Sequence, residues 1–429
     1  MRCEIIGVGT ELLLGQIVNS NAAWIGQRLA DVGWDCLRHT VVGDNEGRIA
    51  DTLREALERA DAVIFTGGLG PTQDDVTREA IAAVAGVGLR RDPDIEAWLR
   101  ERFASFGARK MTSNNLRQAD VPEGADTLPN ERGTAPGIRI EIGGKPVYAV
   151  PGPPREMQHM MEGQVLPDLG ARSGEGRAIV SRTIKTAGVG ESRVADRLTP
   201  LWDAAGVVPA GEGGAPVSMA FLASAGEVKI RLTAAGPTRE AALADIAPVE
   251  EAVRAEMGVA VYGTDDDTLE SVIGELLKAR GRTLATAESL TAGLVAARIT
   301  DVPGSGDYFL GGAVTYSLDS KTSLVAVPPV LLKQAGPVNE AVAAAMAEGA
   351  REAVGADVGL ATTGVAGPDD HGGQPAGTVC LAVADAEGTV TETARAPGDR
   401  GHVRQWTVVL ALDLLRRRLS GHTEGGLEL

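Results

Sequence analysis

The stretch Asp61-Ala62-Val63-Ile64-Phe65-Thr66-Gly67-Gly68-Leu69-Gly70-Pro71-Thr72-Gln73-Asp74-Asp75-Val76-Thr77 decides the fold class. Its apolar run, Ala62 to Phe65, reads as a buried strand and stops at three glycines and a proline. Thr72, Asp74, Asp75 and Thr77 are then the residue types that open a helix. Glycines let a ligand approach the backbone, and helix-start N–H groups attract anions. Two adjacent carboxylates have the wrong sign for a phosphate unless a cation lies between them. The stretch therefore predicts a phosphate-bearing ligand held with a hard divalent metal. A glycine-rich turn with two capping aspartates is the competing reading.

The flanking sequence repeats the strand-to-helix alternation. Cys3–Val8 is an apolar run, Asn19–Ala30 and Ile49–Leu57 have helical spacing, and Val147–Val150 is again apolar. Such alternation implies an α/β domain with a mostly parallel, helix-covered sheet, whose ligands sit beyond the carboxyl ends of its strands. Three loops qualify: Gly9-Thr10-Glu11 to Gly15, the Gly67 loop, and Pro151-Gly152-Pro153-Pro154. Gly170–Gly176 reads as a linker. From Arg177 to Met257 the order strand, helix, two strands, helix predicts a compact α+β module. A polar break at Thr264–Asp267 opens a third α/β unit. Its strands are expected over Thr283–Ala287, Gly311–Tyr316, Val358–Ala361 and Thr378–Ala384. Its helices are expected over Leu269–Arg280, Thr291–Ile299, Asn339–Val354 and His402–Leu419. Gly364–Asp369 echoes the Gly67 loop as a similar strand exit, and the tail after Gly421 reads as frayed.

Composition bounds the function classes. The chain has 429 residues, 44% hydrophobic and 23% charged, with only 3% aromatic, so its cores must be built from Ala, Val, Leu and Ile. A net charge of −17 argues against a nucleic-acid or acidic-membrane surface, which rewards clustered Lys and Arg. Cys3, Cys36 and Cys380 form no Cys-x-x-Cys pair, which favours a reducing compartment without structural zinc. The N-terminus has charge inside its short apolar run, unlike a signal peptide, and no segment approaches the ~18 apolar residues of a membrane span. A cytoplasmic location is expected.

In the third unit, Glu288-Ser289-Leu290-Thr291-Ala292-Gly293 places a serine at a strand end just before a helix. Helix capping alone would explain it. The alternative is a nucleophile whose oxyanion faces helix-start N–H groups. Such a serine needs a base. Lysine is rare, with seven in the chain, and Lys321 lies five residues after Tyr316. A desolvated lysine accepts a serine proton, and Tyr316 would relay or orient it. Arg400 and Arg404 offer guanidinium donors for phosphate.

The chain resembles the CinA (competence/damage-inducible protein A) family along essentially its whole length. The matching segments are Val8–Asn19, Gly67–Thr77, Asn130 with Gly133–Gly137, Pro151–Glu156, Ala287–Gly293, Val302–Ser305, Gly311–Ser317 and Thr363–Pro368. The resemblance implies three domains and a tail. Residues 1–170 would form a MoaB/MogA-like, molybdopterin-binding-like domain that hydrolyses ADP-ribose to AMP and ribose 5-phosphate. Residues 171–263 would form a KH-type module, and residues 264–420 a nicotinamide-mononucleotide amidohydrolase. Residues 421–429 would be the tail. It maps the family's Ser, Tyr and Lys onto Ser289, Tyr316 and Lys321. Glu288, Thr291, Gly293, Thr363, Gly364, Gly367, Arg400 and Arg404 would hold the mononucleotide. Gly9, Thr10, Asn19, Gly67, Gly68, Gly70, Thr72, Pro151 and Gly152 would hold the second ligand. Asp74, Asp75 and Glu11 would hold Mg²⁺ or Co²⁺, whereas the amidohydrolase would need no cofactor.

A homodimer, no membrane partner and no direct nucleic-acid partner are expected. The alternative is a non-catalytic pterin or nucleotide carrier, or an accessory factor in competence and recombination. Two departures stand out. The family's usual Cys-Thr-Gly-Gly after the serine is Leu290-Thr291-Ala292-Gly293 here, so a methyl is placed where an unusual dihedral is expected. The middle module lacks a Gly-x-x-Gly clamp, its nearest candidate being Gly188-Val189-Gly190-Glu191. With ten basic and eleven acidic side chains between Arg172 and Glu256, it reads as a spacer or dimerisation element.

Overall fold

A computed structural model describes residues 1–105, 111–172, 178–204, 207–209 and 217–422. Most of the expected Gly170–Gly176 linker and of the tail lies outside them. The chain divides into two compact units, residues 1–180 with 235–243, and residues 181–234 with 244–429.

The first unit is built on β1 (Arg2–Val8), β2 (Asp35–Val42), β3 (Ala62–Thr66), a β4–β5 ribbon (Leu89–Arg91, Asp120–Pro122), β6 (Asp126–Leu128), β7 (Gly137–Ile142) and β8 (Lys145–Val150). The main sheet has the order β2-β1-β3-β8-β7-β6. Strands β2, β1, β3 and β8 are parallel, and β7 pairs antiparallel with both β8 and β6. Central β3 is buried along its whole length, as a strand covered by helices on both faces must be. Its alternate side chains enter two cores: Val63 and Phe65 meet Ile49 and Leu53, while Ala62 and Ile64 meet Ile25, Leu29 and Met157. The Gly67 and Pro151 loops both leave carboxyl ends of parallel strands.

The second unit holds two sheets. The α+β module contributes β9 (Ala178–Ala187), β10 (Val207–Pro209), β11 (Val217–Ser224), β12 (Glu227–Gly236) and β13 (Val261–Thr264), in the order β10-β11-β12-β9-β13. The last sheet consists of β14 (Leu284–Glu288), β15 (Phe309–Val314), β16 (Val358–Gly364), β17 (Thr378–Asp385) and β18 (Gly388–Arg395). Its order is β15-β14-β16-β17-β18, with β14 parallel to both neighbours and β17 and β18 antiparallel. One face presents Leu284, Leu360, Leu381 and Val383 to the helix Arg400–Leu419. The other presents Ala285, Ala287, Ala361 and Ala382 to the helix Glu340–Val354. With few aromatic residues available, this second face is closed by bringing the helix nearer, and Gly359 marks that approach, whereas Gly349 marks the approach of the same helix to the helix Leu318–Val325. A Cβ on Gly359 would lie 1.9 Å from the Ala347 carbonyl oxygen, and one on Gly349 would lie 1.8 Å from that of Val325.

Candidate active sites

At the carboxyl end of β14, parallel pairing fixes the nucleophile candidate. Ser289 N–H donates to the Thr362 carbonyl (2.9 Å), and Thr315 N–H donates to that of Glu288 (2.8 Å), so three strand exits lie side by side. Ser289 caps no helix. The following helix begins at Leu294, not near Thr291, with Gly293 at its N-cap. Its first amides are taken by the buried Glu288 carboxylate, which accepts from Gly293 (2.9 Å), Val295 (3.0 Å) and Ala296 (2.8 Å). This removes the capping reading of Ser289. It also corrects the expectation that these helix-start amides receive an oxyanion.

Lys321 sits on a short helix, Leu318–Val325, capped by Ser317, whose hydroxyl accepts from Ser320 N–H. The side chain is 1% exposed. Its Nζ donates to Ser289 Oγ (2.8 Å) and to the Thr315 carbonyl (2.6 Å). Burial pulls its pKa from 10.5 down to about 8. Neither bond offers it a counter-charge, so the neutral amine is within reach near neutral pH.

These groups line a cleft of ≈ 540 Å³ with Leu290, Tyr316, Thr363, Gly364, Gly367 and Arg400. Tyr316 is exposed and touches neither Ser289 nor Lys321 through a hydrogen bond among the described residues. Its hydroxyl accepts from Arg400 Nη2 (2.8 Å), and Arg400 Nη1 donates to the Gly367 carbonyl (3.1 Å). Thr363 donates to the Pro337 carbonyl (2.8 Å), and Thr291 bonds Thr362 (2.7 Å). Gly364 is dictated by packing, since a Cβ there would meet the Thr378 carbonyl oxygen at 2.6 Å. Arg404 does not line the cleft. Its Nε and Nη2 hold the Leu290 and Thr291 carbonyls (2.9 and 3.1 Å). Ala292 adopts φ +51°, the left-handed conformation expected of a glycine there. Asp369, Asp370 and His371 also line the cleft, and only their nearness to the Gly364 loop could have flagged them.

The first unit has a cleft of ≈ 400 Å³ where its loops meet. Gly9, Glu11, Gly67, Gly68, Gly70, Asp74, Asp75, Pro151 and Gly152 line it, together with Asp44, Gln118, Thr134 and Glu156. Gly68 adopts φ +69°, and a Cβ there would strike the Thr77 hydroxyl at 2.1 Å. Gly67 N–H is spent on the Val150 carbonyl (3.0 Å). The amides of Gly68, Leu69 and Gly70 have no acceptor among the described residues. Buried Arg78 holds the loop from behind, donating to the Leu69 (2.6 Å) and Gly70 (2.8 Å) carbonyls.

The expected capping role of Thr72 to Thr77 is corrected. The helix begins at Thr77 without a side-chain cap, and Asp75 Oδ2 instead accepts both Thr72 N–H and Thr72 hydroxyl. Thr10 N–H donates to Asp44 (2.8 Å), Asn19 caps the helix Ser20–Asp31 through Ala22 N–H (3.1 Å), and neither is among the residues that line the cleft. Among the described residues no three acidic, His or Cys side chains converge as a ready metal cage. The available donors are all hard carboxylate oxygens. That set suits Mg²⁺, which takes one or two carboxylates and keeps several waters.

Three family models cover the chain in succession. They are a "Probable molybdopterin binding domain" over residues 4–171, the "Damage-inducible protein CinA KH domain" over 181–263, and the "CinA C-terminal domain" over 266–419. A CinA-like protein of Frankia casuarinae is 52% identical over 425 residues, spanning 98% of this chain and 97% of that protein. The chain belongs to the CinA family. Its architecture is accordingly a MoaB/MogA-like N-terminal domain, a KH-like middle domain and a C-terminal CinA domain. Among solved structures, the CinA of Thermoplasma acidophilum, described as of unknown function, is 38% identical with a TM-score of 0.37, covering 39% of this chain and 97% of that one. The competence damage-inducible protein A of Klebsiella pneumoniae is 33% identical with a TM-score of 0.35, covering 35% and 95%. In the KH-like domain of this CinA chain, Gly188 N–H donates to the Gly226 carbonyl (3.4 Å) and Val189 is buried. The segment nearest to a Gly-x-x-Gly clamp is thus tied into its own domain. No helix among the described residues is long and apolar enough to cross a membrane.

Proposed function

We propose that this CinA-family chain is a bifunctional hydrolase of pyridine-nucleotide recycling. The C-terminal domain converts nicotinamide mononucleotide and water to nicotinic acid mononucleotide and ammonia. The observation that carries this reading is the buried Lys321 amine, 2.8 Å from Ser289 Oγ in a cleft shared with Arg400. Neutral Lys321 takes the Ser289 proton as Oγ attacks the carboxamide carbon. The tetrahedral oxyanion then collapses, the C–N bond breaks, and Lys321 returns the proton to departing ammonia. Water, deprotonated by the same amine, cleaves the ester and releases the carboxylate. Arg400 pairs with the 5′-phosphate, and Tyr316, bonded to Arg400, orients it. Ser289→Ala should abolish ammonia release with an unchanged circular dichroism spectrum, and unchanged turnover would overturn the assignment. Lys321→Arg should be equally inactive, because arginine does not give up its proton.

For the N-terminal domain the reading is hydrolysis of ADP-ribose to AMP and ribose 5-phosphate. Gly68–Gly70 amides would bind phosphate, and Asp74, Asp75 and Glu11 would hold Mg²⁺ or Co²⁺. Such a cation supplies charge neutralisation and an activated water. The domain match favours a second reading, in which this cleft binds a pterin or nucleotide without cleaving it. Titration calorimetry paired with AMP detection separates the two. AMP release that persists in Asp75→Asn would remove that residue from the metal set.

A further inference from the structure

The turn 289–293 spends its polar groups unevenly. The Ser289 carbonyl accepts Ala292 N–H (3.2 Å), and the Thr291 carbonyl accepts Leu294 N–H (3.2 Å). Gly293 N–H goes to Glu288 (2.9 Å). The N–H groups of Leu290 and Thr291 have no acceptor among the described residues, although Leu290 is 3% exposed and Thr291 is fully buried. Unpaired buried amides are rare, and each calls for an explanation.

Arg404 supplies one. It arrives from the helix Arg400–Leu419, more than a hundred residues downstream, and its planar fork spans the two adjacent carbonyls of Leu290 and Thr291. In a trans peptide the N–H points opposite the carbonyl of the same plane. Anchoring the Leu290 carbonyl therefore turns Thr291 N–H away from the guanidinium. The closed Ser289–Ala292 bond fixes Leu290 N–H in the same manner. A lysine ammonium, a point charge without the planar fork, would not reproduce this side-by-side grip.

We infer that Arg404 is a positioning residue, which by gripping the nucleophile turn sets the N–H of Leu290, the residue of the pair that lines the cleft beside Ser289, to receive the oxyanion formed on Ser289. The inference rests on the deamidase reading. It replaces a phosphate-binding role for Arg404, and the two roles differ in kinetics: lost phosphate binding raises KM, whereas lost oxyanion donors lower kcat.

The full-length protein with Arg404→Gln, Arg404→Lys or Arg400→Gln tests it, assayed for ammonia from nicotinamide mononucleotide. Arg404→Gln should lose about 10²–10³-fold in kcat with KM little changed, the loss typical of a removed oxyanion donor. Its pH midpoint should not move, and added guanidinium ion should restore part of the rate. Arg404→Lys should stay impaired, whereas Arg400→Gln should raise KM. A raised KM with unchanged kcat in Arg404→Gln would overturn the inference. Amide exchange of residues 288–293 in the substrate-free protein is the independent arm. Faster exchange in Arg404→Gln, with the helix Arg400–Leu419 unaffected, supports the grip even if the wild-type protein releases no ammonia; that pairing rejects the deamidase reading alone. Unchanged exchange rejects the grip itself. Should Arg404→Gln fail to fold, Arg404→Lys carries the same two measurements.

Discussion

Lys321 carries its charge at a cost, because burial favours the neutral amine. With its pKa lowered to about 8, the amine is mostly protonated at pH 7 and mostly neutral at pH 9. Deamidase activity should therefore rise with pH through a midpoint near 8 and level off above it, as a pH profile of kcat/KM will read. Ala292, beside the nucleophile candidate, is also under tension. A non-glycine residue in the left-handed region costs about 1–2 kcal/mol, so Ala292→Gly should stabilise the chain by about 1 kcal/mol, measured by urea unfolding. Ser289 and Lys321 were legible because a strand-end serine and a rare lysine stand out, and the resemblance joined them. The grip of Arg404 was not legible because its partners are main-chain carbonyls, which leave no trace in side-chain identity. Glu288 was expected to hold the mononucleotide, but its carboxylate is taken by the amides of Gly293, Val295 and Ala296; a cap that reaches forward from a strand end looks like any buried acid in the sequence.

The elements that place the site depend on close approach. The alanine face of the last sheet lets the helix Glu340–Val354 settle near enough that Gly359 has the Ala347 carbonyl oxygen where a Cβ would be, and Gly349 lets the same helix approach Val325 of the helix Leu318–Val325. Gly359→Ala should cost about 1–3 kcal/mol or more, because the clash is with backbone that cannot rotate away. A drop in the thermal midpoint, with ammonia release lost in parallel, is the expected outcome. The long elements were readable from their periodicity, and Leu269–Arg280 was placed to the residue. Strand β18 was not anticipated, because an edge strand of alternating threonines, Gly388–Arg395, lacks an apolar run. Nor was Leu318–Val325, whose eight residues mix polar and apolar types and whose helicity rests on the Ser317 cap. That short helix is the one that delivers Lys321.

The whole chain is organised as two units with separate cores, and the second binds two domains into one. Ala187 of β9 and Tyr262 of β13 belong to the same apolar cluster as Leu284, Leu381 and Leu410. The β11–β12 turn packs on the last helix, since a Cβ on Gly226 would meet the Trp406 ring at 3.2 Å. Beside these contacts Arg416 donates to the Val259 carbonyl (2.7 Å), while Asp413 pairs with both Arg416 (2.7 Å) and Arg417 (2.9 Å). All three charged side chains are buried. Asp413→Ala would leave the buried Arg416 guanidinium without a counter-charge, while Arg417 keeps Glu392 (2.7 Å), and should destabilise this unit by about 3 kcal/mol, read as a lowered calorimetric transition. The three-part order of the chain was visible in its composition, but this fusion was not, because the residues that make it lie far apart in sequence. It bears on where the chain can be cut. The polar break at Thr264–Asp267 looks like a natural place to start a shorter fragment. A fragment begun there would lose Ala187, Tyr262 and the Val259 carbonyl together, and its last helix would expose apolar side chains that Ala187 and Tyr262 cover. The easiest place to sever this polypeptide is thus a poor place to end a soluble protein.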